Sequence, residues 1–446
     1  MRQTISSRGA SRQQDWLNME GFPGRIAGLA RTGRDGAKAS FGYFSRSGRE
    51  ERSLVKASFY TGVTGAVLWY VLFLYWGSAG FSSQDIGFME AAGTVAGTVA
   101  YLVGGYLADK MGRRLLFLVG LLCTAIGLMI FLGERNLLLY TTAYSLTNIG
   151  GSITWPCLTA LMADKSSPAD MKFFFAVQGF VNQVGSTFAG FLGIFVPAFL
   201  ADHYGLDILS GYRDVFLVAA VVSFYPIVYV LRVTEVARKP EPLIVHYDSR
   251  MRKALVMYSL QNAIIGVGAA FVIPWFPLIF QHGMGATVTQ VSLMVTLSSA
   301  VLAFGWFIVP KFAEARGSVA LISISQLASV VPLMLIPYSS FSLLLVAVLY
   351  TARNFLMLVP TPVLNAYLVN IVSTPIRASF LSLGQVAWQI GFAAASVLAG
   401  VLWNNDYSKT EPFYIACTLY VVATVIFWWY FKGITDPGDS ASGNAK

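Results

Sequence analysis

The chain's 446 residues predict an all-α integral membrane protein, with twelve transmembrane helices in two pseudo-symmetric six-helix bundles and both chain ends in the cytoplasm. Three observations predict this class. The chain is 56% hydrophobic and only 12% charged, about half the charged fraction of a soluble domain. Apolar stretches of about 20 residues recur along it, each long enough to cross a bilayer. A charged turn between two of them, Gly105-Tyr106-Leu107-Ala108-Asp109-Lys110-Met111-Gly112-Arg113-Arg114, returns weakened one half-chain later as Pro310-Lys311-Phe312-Ala313-Glu314-Ala315-Arg316-Gly317.

In chain order, residues 1–53 form a basic tail rich in Arg, Gly and Ser, expected to be disordered. Residues 54–231 hold six spans, at 54–76, 86–108, 115–133, 137–162, 171–200 and 214–231. Residues 232–252 are a polar linker. Residues 253–431 hold six more, at 253–280, 288–310, 318–337, 341–370, 377–403 and 412–431, and residues 432–446 form a C-terminal tail. Backbone groups in hydrocarbon must be satisfied within their own segment, so these spans are helices. A large β-barrel would show short alternating segments instead. Twenty-seven of the 31 Lys and Arg residues fall on the face shared by the two termini and three on the other, which places both termini inside. Pro274 and Pro277, and Pro360 and Pro362, should bend the seventh and tenth helices.

The halves align beyond the charged turn. Pro156-Cys157-Leu158 matches Pro362-Val363-Leu364, and Pro168, Phe173, Gln178, Asn182 and Gly193 match Pro375, Phe380, Gln385, Gln389 and Gly400. That is the pattern of parallel repeats about an axis along the membrane normal. With the turn placed after the second of twelve spans, residues 54–431 resemble the major facilitator superfamily, whose signature there is Gly-x-Leu-Ala-Asp-[Arg/Lys]-x-Gly-[Arg/Lys]-[Arg/Lys]. The resemblance implies a secondary transporter in which two halves rock around a central site. It implies that Asp109 latches onto a helix N-terminus of the other half, with Lys110, Arg113 and Arg114 holding it in place. Gly105 allows a helix to approach closely and Gly112 permits the tight reversal. Charges that only enforce topology are the alternative. In that family helices 2 and 11, and 5 and 8, meet across the halves. Small residues at Gly93, Gly97, Ala189 and Gly193 would suit such contacts.

Arg353 lies alone inside the tenth span. Burying it costs about 2.5–3.5 kcal/mol on insertion scales, so it is expected to face a cavity. There it would meet an anionic group on a substrate, or else a structural partner. Glu90 is the coupling candidate, since a desolvated carboxyl can carry a proton. A solvated acid at the outer rim is the alternative. Asn148, Asn354, Gln178, Asn182, Gln385 and Gln389 are candidates for a polar cavity lining, with inter-helix hydrogen bonding as the other reading. Trp155, Trp275 and Trp388 are either ligand-stacking or packing residues.

No metal-ligand cluster, phosphate-cradling loop or nucleophile triad is present, so neither cofactor, metal nor enzymatic activity is expected. Cys123, Cys157 and Cys417 sit in apolar segments as core residues. The net charge of +9 is distributed between hydrophobic segments, which argues against nucleic acid. The expected partners are a small-molecule substrate, protons and membrane lipid. The expected protein is a monomer in the cell membrane that transports a small organic solute by alternating access, coupled to protons, its substrate anionic. A sugar or drug-like efflux substrate is the alternative, and a non-transporting sensor on the same bundle is the rival function.

Overall fold

The computed structural model describes residues 42, 44–165, 171–235, 248–372 and 377–434. Most of the predicted tail, the centre of the linker and nearly all of the C-terminal tail lie outside them.

Each predicted span forms a helix. The first six are α1 (Arg49–Ser78), α2 (Ser83–Met111), α3 (Arg113–Ile130), α4 (Leu137–Lys165), α5 (Met171–Tyr204) and α6 (Ile208–Val230). The second six are α7 (Ser249–Gly283), α8 (Val288–Arg316), α9 (Ser318–Leu335), α10 (Leu343–Leu358, resuming over Thr361–Ile371), α11 (Arg377–Trp403) and α12 (Glu411–Phe431). The anticipated proline bends are present. α7 is interrupted at 273–275 and α10 at 359–360, where the missing amide hydrogens release the helical ladder.

Eleven of these helices are long and apolar enough to cross a membrane by composition alone. The remaining one is α4, which is 29 residues long. Its polar residues fall at helical spacing on one side, a point that matters for the site. At the turn, Gly112 ends α2 and precedes α3 with φ +96°, and Gly317 occupies the equivalent position between α8 and α9 with φ +82°. Both are left-handed conformations that favour glycine, so the repeat conserves backbone geometry where its charges have degraded.

The packing divides along the helix axes. At the end bearing the α1–α2 and α11–α12 connections, one apolar core spans both halves. Phe73 and Trp76 of α1 join Trp275 and Phe276 of α7 and Trp403 of α11. The Phe73 and Trp275 rings meet edge to face at 5.8 Å. Toward the α2–α3 turn, the core separates into two. One is built only from the first six helices and their C-terminal extension (Leu54, Phe117, Met162, Val230). The other is built only from the second six (Tyr258, Ile322, Tyr367, Phe427). The halves are therefore sealed together at one end and packed independently at the other.

Across the seal α2 packs on α11 and α5 on α8. The Ser83 amide donates to Asn405 Oδ1 at 2.7 Å, the Ser83 hydroxyl to the Gly400 carbonyl at 2.9 Å, and the Asn405 amide to Ser83 Oγ at 2.9 Å. A Cβ at Gly87 would lie 2.5 Å from the Ser396 carbonyl oxygen, and one at Gly400 would collide with the Ser83 carbonyl. Gly87 and Gly400 thus make the α2–α11 approach. The expectation that Gly93, Gly97 and Gly193 face the other half is corrected. Gly93 and Gly97 pack against Tyr144, Asn148 and Ser152 of α4, and Gly193 against Val71 and Val215, all in their own half.

Candidate substrate cavity

Below the joint core lies a cavity of about 670 Å³, within the range that binds small organic molecules. One wall is α4. Tyr144, Thr147, Asn148, Gly151, Ser152 and Trp155 line it in a single stripe at three- and four-residue spacing. This stripe explains the low hydropathy of α4, since one face of the helix is set toward a polar space instead of lipid or core. The cavity follows α4 from Tyr144 to Thr159, about 22 Å at helical rise. It begins among buried residues and reaches Trp155, which is half exposed, so it opens toward the α2–α3 turn.

α2 contributes Glu90, Thr94, Gly97 and Tyr101 from one face. The Glu90 side chain is only 2% exposed. The Tyr144 hydroxyl lies against its carboxyl, while Glu90 Oε2 has no hydrogen-bond partner. The close fit of Gly93 against the Tyr144 ring sets the rotation of α2 and turns Glu90 inward. α11 contributes Gln385, Trp388, Gln389 and Phe392, and Trp388 stacks on Phe392 with centroids 4.8 Å apart. Leu68 and Trp69 enter from α1 at a π-helical turn over Val67–Val71. Such a widened turn rotates the following side chains out of the α-helical register. Sequence reasoning missed Trp69, Tyr101, Tyr144, Tyr258 and Asn365. The polar stripe of α4 was a usable signal for Tyr144, and an amide inside an apolar span was one for Asn365; Trp69, Tyr101 and Tyr258 had none, because an aromatic residue in an apolar span looks alike facing cavity, core or lipid.

Of the expected lining, Asn148, Gln385, Gln389 and Glu90 are brought together here. The others lie elsewhere in this conformation. Asn182 Nδ2 donates to the Ser58 carbonyl at 2.9 Å and joins α5 to α1. Gln178 is buried away from the cavity. Arg353 is buried inside the second half, where Nη1 donates to Asn354 Oδ1 at 2.8 Å and Nη2 to the Tyr420 hydroxyl at 3.0 Å. Asn354 passes the network on to Ser298 Oγ at 2.8 Å. The guanidinium thus finds polar partners on α10 and α12 and is not part of the cavity wall, which removes the basis for expecting an anionic substrate. Trp275 is likewise core, its indole donating to the Ala270 carbonyl at 3.0 Å.

Arg353→Gln should therefore change the affinity of a cavity ligand by less than about threefold while lowering stability by about 1–3 kcal/mol. Ligand titration and thermal unfolding of the two purified proteins check both parts.

At the charged turn, Arg113 bonds Asp164 at the end of α4 at 2.7 Å. The Glu235 carboxylate, just past α6, accepts from the Arg113 and Arg114 backbone amides at the α3 N-terminus, where a negative charge is favoured by the helix dipole. These contacts tie the turn to its own half. The surroundings of Gly105, the side chain of Asp109, and residues 373–376 before α11 lie outside what is described.

A polar cavity between two six-helix sets that are joined at one end defines a membrane solute transporter. The chain belongs to the Major Facilitator Superfamily, whose sequence profile matches residues 54–252 and 258–446. Multidrug resistance protein 1 of Bacillus subtilis is 24% identical over 366 residues, covering 78% of this chain and 88% of that protein. Among solved structures, the nucleoside transporter NupG matches with a TM-score of 0.67 at 13% identity, covering 85% of this chain and 98% of that one. The inward-open xylose transporter XylE from E. coli matches at 0.68 and 14%, covering 88% and 98%. The human organic anion transporter MFSD10 matches at 0.64 and 15%, covering 84% and 99%. At these identities the structural matches establish the fold, that of a multi-pass membrane transporter.

Proposed function

We propose that this protein is a secondary transporter that moves a small organic solute through the central cavity by alternating access, with Glu90 carrying the coupling proton. The observation that supports alternating access best is the asymmetry of the core, one shared hydrophobic cluster at one end and two separate ones at the other. Helix pairs that pack by side-chain interdigitation switch between discrete arrangements, and independently packed ends can separate without breaking either half. The Lys and Arg bias supports a cytoplasmic position for the open end, which in this reading makes the conformation inward-facing. Among the described residues the cavity lining includes one carboxylic acid, which makes Glu90 the candidate for proton coupling. The resemblance to a multidrug resistance protein, and the shared fold with xylose and nucleoside transporters, support an organic solute of modest size.

The test is flux in proteoliposomes containing the purified protein, with a panel of radiolabelled organic solutes and an imposed pH gradient. Gradient-driven accumulation of at least one solute is the expected result. A solute that binds the folded protein and is never moved, with or without the gradient, would favour the sensor instead.

A further inference from the structure

Resting on that reading, we propose that the substrate is an aromatic amine: a planar ring bearing a protonated primary or secondary nitrogen, which donates N–H bonds to Glu90 and Gln389. Three observations lead to this class. First, among the described residues the lining includes one carboxyl, that of Glu90, and no Lys, Arg or His. A buried carboxylate without a counter-charge calls for a cation, and an anion would be repelled.

Second, the unsatisfied atoms of the lining are both acceptors. Among the described residues, Glu90 Oε2 and Gln389 Oε1 are the only buried side-chain atoms without a hydrogen-bond partner that belong to the cavity wall. A buried acceptor left unpaired is costly, so the matching ligand must bring donors. Their spacing follows from the helix register. Ser83 meets Gly400, Gly87 meets Ser396, and the Tyr101 hydroxyl meets Ser382. These pairs share one antiparallel register, which places Gln389 level with Thr94. Gln389 is therefore one helical turn, about 6 Å, further along the cavity than Glu90. A single ammonium group, with two or three divergent N–H bonds, can address two acceptors offset by one turn along the cavity.

Third, aromatic rings stand among the polar residues of the wall. Trp69 and Trp155 are both strongly exposed, at 41% and 50%, and the stacked Trp388–Phe392 pair flanks Gln389. Indole faces attract both planar rings and cations. A sugar could donate hydroxyl hydrogens to both acceptors, but it brings no positive charge to the Glu90 carboxylate.

The experiment is ligand binding to the detergent-purified full chain, read by tryptophan fluorescence and calorimetry. The probes share one naphthylmethyl skeleton and carry a primary amine, a trimethylammonium, an alcohol or a carboxylate, with xylose as a polyol control. The primary amine is expected to bind, with the trimethylammonium at least about tenfold weaker for lack of N–H donors, and the carboxylate and xylose weaker still. Glu90→Gln should lose at least about tenfold for the amine, and Gln389→Leu at least about threefold, with the alcohol little changed. Equal binding of the amine and its trimethylated form, preference for the carboxylate or xylose, or no binding of the amine to wild type would each overturn the proposal. These wild-type comparisons need no variant to fold. An amine that binds as described but is not moved in proteoliposomes would overturn the transport reading and leave the ligand class standing.

Discussion

Glu90→Gln should abolish accumulation driven by a pH gradient. The substitution keeps the shape of the side chain and removes the titratable proton, so what it tests is charge and not packing. In wild type the carboxyl sits 2% exposed against Tyr144, with Oε2 unpaired. A group in that position gains or loses a proton at a real energetic cost, and in the proposed cycle that cost would couple the proton to the conformational change. The expected result is a fall of at least about tenfold in gradient-driven uptake, a coupling energy of about 1.4 kcal/mol or more. The residual flux should not respond to the pH difference. Uptake by the variant that retains full dependence on the gradient would remove Glu90 from the role.

The second large effect is expected at Gly400, at the sealed end. Gly400→Val should open that end and sharply lower transport. The Gly400 Cα lies against the backbone of Ser83, and any Cβ there collides with the Ser83 carbonyl. The obstacle is backbone on a helix, which cannot move aside as a flexible side chain would. Overpacking of this kind costs about 1–3 kcal/mol. It would also pull apart the reciprocal Ser83–Asn405 hydrogen bonds. Because the clash exists only while the halves meet at that end, the protein should shift toward the conformation open there. A cysteine at Trp76, now fully buried in the joint core, should become reactive to an impermeant thiol reagent added on that side. Unchanged labelling and unchanged flux would show that α2 and α11 do not close on one another during the cycle.

The seal and the cavity depend on each other. The α2–α11 register that pairs Ser83 with Gly400 also sets the height of Gln389 relative to Glu90. A movement of α11 that broke the seal would also alter the separation of the two acceptors. Ligand binding and gate position are then linked through one helix pair, which is the physical requirement for a ligand to bias two conformations.

Much of the architecture was legible in the residues because it depends on local properties. Hydropathy and length define a span wherever it packs, and twelve of them were countable. Gly112 of the turn was informative because its left-handed backbone is a local demand, met again at Gly317. Depth along a helix was legible too, since it is a matter of counting residues, and so both Glu90 and Arg353 were placed within spans. What the sequence could not settle was rotation about the helix axis. Glu90 faces the cavity because Gly93 lets α2 lie close against Tyr144. Arg353 faces inward because its guanidinium reaches the Tyr420 hydroxyl of α12 and the Asn354 side chain beside it. Both side chains avoid lipid, where a charge is costly, but only the contacts between helices decided which lined the cavity and which met the protein.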